Sequence, residues 1–150
     1  MLKYYNKITK TLTLPSDFNE ELKGIPNNTE HIIFSAERYY SKFNQEIKKK
    51  VLPISLRTIT FGWDFNQEIK ENVFPCSIKK IGVYSHCNLI NNLPLWITEV
   101  YIKFCNNVKY DKEVNNLPMT LERITIKDEK YLKYITKVPF GCDTVIQKID

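Results

Sequence analysis

The stretch VLPISLRTITFGWDFNQEI, residues 51–69, decides the fold because weakened copies of it lie on both sides along the chain. Moving back 22 residues, from Phe65 to Phe43, lays the letters FNQEI on FNQEI without a mismatch. The same step forward lays Pro53 on Pro75. A fixed period in the twenties is typical of a solenoid, in which each repeat forms one turn and stacks on its neighbours.

Within this stretch, Leu56, Ile59 and Phe61 follow the spacing LxxLxL. Side chains alternate between the two faces of a strand, so Ile59 and Phe61 are expected to point inward and the residues between them outward. The spacing can be traced seven times, at Thr9, Leu12 and Leu14; Thr29, Ile32 and Phe34; Leu56, Ile59 and Phe61; Ile78, Ile81 and Val83; Ile97, Val100 and Ile102; Leu121, Ile124 and Ile126; and Cys142, Val145 and Gln147. This predicts a single repeat domain over residues 1–150 with about seven units, of which the end units are degenerate.

A proline recurs three residues before the first apolar position of the repeat. It stands at Pro26, Pro53, Pro75, Pro94, Pro118 and Pro139. Proline fixes φ and has no N–H to give to a sheet, so it is expected to end one return segment and set the direction of the next strand.

An aromatic residue followed by asparagine recurs after the predicted strand. The pairs are Phe18 and Asn19, Phe43 and Asn44, and Phe65 and Asn66, and the ring is replaced by sulfur at Cys87 and Asn88 and at Cys105 and Asn106. An amide offers both donors and an acceptor, so asparagines stacked turn upon turn should satisfy open backbone groups and form a ladder. The cysteines then serve as small hydrophobic residues in the phenylalanine position.

The letters LPxxLxxIxFGxxFNQxI, which run from Leu52 to Ile69, resemble the FNIP repeat, a leucine-rich-repeat-like family known from amoebae and from large DNA viruses that infect them. The resemblance implies a leucine-rich-repeat-like solenoid. Such a solenoid has a curved parallel sheet with one short strand per repeat of about 22 residues, joined by extended or short helical or 3-10 return segments. It also implies a role in protein recognition, often as the substrate-reading part of a chain that begins with an F-box, whereas here the repeats begin almost at once.

Composition narrows the functional classes. The net charge of +5, from 22 basic and 17 acidic residues, falls short of the concentrated basic surface of most nucleic-acid-binding proteins. The polar amino terminus and the lack of a long apolar run predict an intracellular protein, in the cytoplasm or nucleus, without a membrane partner. The four cysteines form no CxxC pair and are expected to be reduced thiols.

Catalytic motifs are missing from the sequence. It contains no GxSxG, phosphate-binding loop, HExxH or CxxC, and its two histidines are His31 and His86. The neighbouring pair of His86 and Cys87 lacks a second cluster at metal-ligand spacing. We therefore predict a protein that is not an enzyme and needs no metal or cofactor.

The outward positions of the strands are the candidate binding residues. They include Thr58, Thr60, Lys80, Tyr84, Tyr101, Lys103, Arg123 and Lys127. A basic surface with aromatic anchors fits an acidic segment of another protein. The leading hypothesis is a noncatalytic protein-protein interaction module, with substrate recognition as one form of that role. The alternative function is binding of nucleic acid or another polyanion. A third interpretation gives these residues no function and takes them as the ordinary strand surface of a lysine-rich chain.

Other features allow further contacts. The residues 35–42, which include Arg38, Tyr39 and Tyr40, lengthen one turn and form either a second candidate site or a tolerated insertion. Trp63 follows Gly62 at the strand exit and is expected to cover the edge of the sheet. Unpaired end strands would allow end-to-end self-association.

Overall fold

The computed structural model describes residues 1–34, 40–105, 107 and 109–147. Within these residues the chain forms a solenoid of about six turns with little helix. Its strands form one sheet in chain order: β1 (Tyr5–Asn6), β2 (Thr11–Leu14), β3 (His31–Phe34), β4 (Thr58–Thr60), β5 (Lys80–Tyr84), β6 (Glu99–Lys103), β7 (Arg123–Ile126) and β8 (Asp143–Ile146). Short 3-10 helices span Leu2–Tyr4, Asn88–Asn91 and Glu129–Tyr134. Strands β2 to β8 are parallel, so the predicted solenoid with one short strand per turn is confirmed.

The inward positions of the repeat stack in register. Ile32, Ile59, Ile81, Val100 and Ile124 are successive partners along the sheet, and each is 0 % exposed. Burying a side chain of this size stabilises the fold by roughly 1.5–3 kcal/mol, so this row holds the turns together. The assignment of Leu56, Ile59 and Phe61 to the interior is confirmed, because all three are at most 1 % exposed.

Aromatic rings fill the interior behind strands β3 and β4. Phe43 and Phe65 stack with ring centroids 5.8 Å apart, as expected from their shared place in the repeat. Phe34 lies 4.1 Å from Phe43, and Phe61 lies 3.9 Å from Phe65, so each turn contributes one stacked pair. Offset stacking of this kind adds about 0.5–1.5 kcal/mol per pair to the burial of the rings.

The prolines close similar turns before the strands. The N–H of Leu56 donates to the carbonyl of Pro53 at 3.0 Å, and the same bond recurs after the other five prolines of the row. Hydroxyl groups then join successive turns, since Ser55 Oγ donates to the carbonyl of Thr29 at 2.7 Å. The turns therefore stack as regularly as the strands do.

The predicted asparagine ladder is present. Each backbone N–H of Asn44, Asn66 and Asn88 donates to the side-chain oxygen of the asparagine one turn earlier, at 3.0, 3.0 and 2.8 Å. Cys87 takes the buried phenylalanine position, with 2 % exposure. Asn106 lies outside the described residues. Its neighbour Cys105 donates hydrogen bonds from its N–H and its Sγ to the Asp111 carboxylate.

The last copy of the repeat corrects the sequence assignment. Ile124 pairs with Thr144 and Ile126 with Ile146, so Thr144 and Ile146 take the inward positions that were predicted for Val145 and Gln147. Val145 is 40 % exposed and pairs with the outward Thr125. The cause is a missing residue, because Asp143 follows Cys142 directly whereas Glu122 separates Leu121 from Arg123.

The first turn carries a cap that the repeat pattern does not contain. Strand β1 pairs antiparallel with β2, with Tyr5 opposite Leu12 and Asn6 opposite Thr11. It covers the edge of β2 that would otherwise offer open backbone groups. End-to-end self-association stays a prediction.

Candidate functional site

The predicted outward residues lie side by side on one face of the sheet. Thr58, Lys80, Glu99 and Arg123 are successive partners in one row. A second row contains Thr60, Gly82, Tyr101 and Thr125, and Tyr84 pairs with Lys103 in a third. Lys127 follows the end of β7 and is exposed. The structure therefore brings the candidate residues of the carboxyl half together on adjacent strands.

Acidic and basic groups alternate in the first row. Glu99 lies between two cations, with its carboxylate oxygens 3.4 Å from Lys80 Nζ and 3.8 Å from Arg123 Nη1. Partly exposed pairs of this kind contribute little to stability, up to about 1 kcal/mol. The row therefore presents mixed charge rather than a uniform basic strip.

Lys103 is half-buried in the outward face. Its Nζ donates to the carbonyl of Phe61 at 3.1 Å and lies 5.3 Å from the centroid of the Tyr84 ring. Burial lowers the pKa of Lys103 to about 8. Loss of hydration disfavours the charged amine, and the carbonyl and the ring face replace part of that hydration. Lys103 therefore packs within the face, and its amine is held by the Phe61 carbonyl rather than extended into solvent.

Aromatic side chains cover Tyr84. The Tyr84 side chain is only 2 % exposed although it points to the outward side, because Trp63 packs edge-on against it at a centroid distance of 5.0 Å. Trp63 also contacts His86 at 4.4 Å and Tyr110 at 5.7 Å. Trp63 therefore covers the edge of the sheet, as expected, and it does so within a cluster of rings at the carboxyl ends of the strands.

A cavity of about 570 Å³ opens beside this cluster. Its walls are the rings of Trp63, Tyr84, Phe104, Tyr110 and Tyr131, and its polar lining includes Lys127, Asp128 and Lys130. Lys130 Nζ lies 3.1 Å from an Asp128 carboxylate oxygen, so the lining contains an ion pair beside its apolar walls. Pockets of this volume that combine apolar walls with a few polar groups are typical ligand sites.

A buried carboxylate holds one wall of the cavity in place. Asp111 is 7 % exposed and accepts hydrogen bonds from Ser85 Oγ at 3.1 Å, from the N–H of Cys105 at 2.9 Å and from the N–H of Asn107 at 3.1 Å. These bonds tie the loop after β6 to the end of β5. Tyr110, which directly precedes Asp111, is thereby positioned at the rim of the cavity.

The thiols near the site lack the environment of a nucleophile. Burial raises the pKa of Cys87 to about 11, and burial together with the Asp111 carboxylate raises the pKa of Cys105. A high pKa keeps a thiol protonated and unreactive at neutral pH. In the part of the chain that the structure describes, no group of three or more His, Cys, Asp or Glu side chains could hold a metal ion.

Sequence reasoning missed several residues of the cavity. Phe104, Tyr110 and Tyr131 belong to loops and a 3-10 helix that fall outside the repeat spacing. The available signal was the lengthened turn between Pro94 and Pro118, which contains Tyr110. Residues 35–39, with Arg38 and Tyr39, lie outside the described residues, and the adjoining Tyr40 is 69 % exposed and lines the cavity.

The comparisons with known proteins bear on the repeat rather than on the cavity. Residues 43–82 match the family model of the FNIP repeat. No curated protein and no solved structure matches the chain. Across the described residues, every helix is too short or too polar to span a membrane. The matched segment contains both FNQEI copies and the whole of β4.

Proposed function

We propose that the protein is a noncatalytic interaction module that binds a segment of another protein along the outward face of β5 to β7, with the aromatic cavity as the anchor site. The cavity is the observation that carries the proposal. Interfaces between proteins draw most of their binding energy from a few buried anchors, which are enriched in aromatic residues and arginine. Trp63 and Tyr110 would supply such contacts on the side of this protein.

The support of the cavity favours tight binding. Trp63 and Phe104 lie just beyond the ends of β4 and β6, and Asp111 fixes the loop that carries Tyr110. Groups that are already held in place lose little conformational freedom on association. A partner side chain that enters the cavity would therefore gain the apolar contacts at a small cost in ordering.

The charge pattern favours a protein over a polyanion. A nucleic acid presents phosphates at every step and binds best to an unbroken basic surface. Glu99 interrupts such a surface between Lys80 and Arg123. A protein segment with both acidic and basic side chains can match this row, and its acidic groups can meet Lys127 and Lys130 beside the cavity.

Affinity capture from the native cellular setting tests the proposal. One variant carries Lys80→Glu, Arg123→Glu and Lys127→Glu on the candidate face, and a matched control carries Lys7→Glu, Lys49→Glu and Lys137→Glu at exposed positions elsewhere, with the same change in net charge. Lys103 is left unchanged because a buried carboxylate there would disturb the fold.

We expect a protein partner, identified by mass spectrometry, that is captured by the original chain and by the control but lost from the face variant. A Tyr110→Ser variant should lose the same partner, because it removes one wall of the cavity. Identical capture by all four chains would contradict the proposal. Capture of nucleic acid that vanishes with added salt would favour the polyanion alternative instead.

A further inference from the structure

The residue that follows each proline of the last five turns is bulky, apolar or sulfur-bearing, and exposed. Ile54 is 87 %, Leu95 72 %, Met119 70 % and Phe140 96 % exposed, and Cys76 is also exposed. Folded monomers rarely expose large contiguous apolar patches without a use for them. We call these five residues the apolar stripe.

The stripe residues hold the same place in successive turns, directly after the proline. The same N–H to carbonyl bond closes the proline turn of each repeat, and neighbouring turns touch, since Thr120 Oγ1 donates to the carbonyl of Leu95. Leu95 and Met119 line one shallow depression of the surface. Adjacent strands of a sheet lie about 4.8 Å apart, so the stripe extends for about 20 Å along the edge where the strands begin.

Charged residues lie beside the stripe, with basic residues in its first turns and acidic residues in its last turns. Three positions beyond the stripe residue of each turn, the first two turns carry Arg57 and Lys79, the middle turn carries the neutral Thr98, and the fourth carries Glu122. In the shortened last turn, Asp143 is the register partner of Arg123 and its N–H donates to the carbonyl of Glu122, so the acidic half continues at the start of β8. All four charged residues are exposed, although Arg57 Nε also lies 3.4 Å from Glu30 and Lys79 Nζ 3.5 Å from the carbonyl of Trp96. Over the five turns of the stripe, the edge is therefore basic in its first half and acidic in its second, and Glu30 of the preceding turn pairs with both Arg57 and Lys10.

We infer that two copies of this chain associate through the apolar stripe in an antiparallel arrangement, about a two-fold axis at Leu95. This axis places Leu95 opposite Leu95 of the second copy, Cys76 opposite its Met119, and Ile54 opposite its Phe140. The same rotation brings Arg57 and Lys79 next to Asp143 and Glu122 of the second copy. Both the apolar and the charged rows are self-complementary in this one orientation, which is the requirement of an isologous interface.

The surface available matches the size of a stable interface. From their exposed fractions, the five stripe residues present at most on the order of 600 Å² per copy. The half-buried rings of Pro53, Pro75 and Pro94 bring the available area toward the ~800 Å² per partner of a standard interface. A lipid surface fits the edge less well, because membrane-binding apolar faces are flanked by lysine and arginine, whereas Glu122 and Asp143 flank one half of this one.

Sedimentation velocity on the full chain tests the inference. The original chain should form a dimer that dissociates on dilution. Leu95→Glu places two like charges together on the axis and should weaken the dimer at least about tenfold. Ile8→Glu, at a 93 % exposed position in the turn between β1 and β2 and outside the five stripe residues, should leave it unchanged. A chain that is monomeric at every concentration reached, or an equal effect of both variants, would overturn the inference.

Charge exchange tests the antiparallel orientation. Lys79→Glu should weaken the dimer because it faces Glu122 of the second copy, and the double variant Lys79→Glu with Glu122→Lys should restore it. In a Cys76→Ser background, mild oxidation should cross-link Leu95→Cys to itself but not Ile54→Cys, which lies far from the axis. Failure of the double variant to restore the dimer, or equal cross-linking at both sites, would overturn the arrangement.

These variants lie at the edge where the strands begin, and the aromatic cavity lies where they end. Self-association and partner capture can therefore fail independently, and circular dichroism can show that each exposed variant keeps its fold.

Discussion

Replacing Ile59 with aspartate is expected to lower the free energy of unfolding by more than about 4 kcal/mol, which places it among the most damaging single substitutions. Ile59 is 0 % exposed in the middle of β4, between Ile32 and Ile81 of the neighbouring turns. A carboxylate at this position would be buried among apolar groups without a partner. Because every turn supports the next, the loss should weaken the whole array.

Urea unfolding followed by circular dichroism measures this loss, and Thr60→Asp is the matched control. Thr60 is the next residue on the same strand, half-buried on the outward face. The new charge there can stay in contact with water, so we expect a loss below about 1 kcal/mol. Equal losses for the two variants would show that the inward and outward assignment of β4 is incorrect.

Gly62→Ala is expected to destabilise the protein by about 3 kcal/mol, at the upper end of the usual cost of overpacking. A Cβ atom at Gly62 would lie 2.1 Å from Cβ and 3.2 Å from Cα of Ser41. Ser41 is 0 % exposed, and its carbonyl accepts a hydrogen bond from the N–H of Asp64 at 3.2 Å. The added methyl group would therefore push apart two turns that the backbone joins directly.

Thermal unfolding of a small set of variants separates this cause from a general cost of losing glycine. Gly82→Ala should cost only about 1 kcal/mol, since its Cβ would meet the end of the Thr60 side chain, which can move. Adding Ser41→Gly to Gly62→Ala should recover part of the stability, because it removes the clashing atom. Equal losses at the two glycines, or no recovery in the double variant, would contradict the close approach of these turns.

The regular part of the fold could be predicted because one physical rule repeats. LxxLxL spacing marks the inward positions wherever a strand is flanked by other turns, and Leu56, Ile59 and Phe61 lie where that rule puts them. The asparagine ladder followed from the same repetition, because a side chain that bonds to the next turn must recur at the same step. Asn44 and Asn66 show both the step and the bond.

The ends of the array were harder to predict because the end turns follow the repeat spacing less closely. In the last turn the inward position is taken by Thr144, whose hydroxyl gives no apolar signal, so the missing residue before Asp143 could not be seen in the sequence. Strand β1 runs antiparallel and spans only Tyr5–Asn6, and so it contains no trace of the repeat.

The candidate site was predicted only in part for a related reason. Alternation along a strand gives the side to which Tyr84 and Lys103 point, but it does not show what covers them. For Tyr84 that depends on Trp63, which lies outside the strands, and for Lys103 it depends on the carbonyl of Phe61 and the ring of Tyr84. The balance of charge around Lys80 and Arg123 likewise depends on the Glu99 side chain between them. The distances from the Glu99 carboxylate to the two cations follow from the fold and cannot be derived from composition.

Site-specific photo-cross-linking in the native cellular setting tests the proposed interaction site most directly. A photoreactive phenylalanine analogue is placed at Tyr110, on the rim of the aromatic cavity, and in a control chain at Ile8, which is 93 % exposed in the turn after β1. The proposed function predicts covalent adducts with a distinct partner protein from the Tyr110 position and none with that partner from the Ile8 position. Adducts with that partner from Ile8 alone, or equally from both positions, would contradict it.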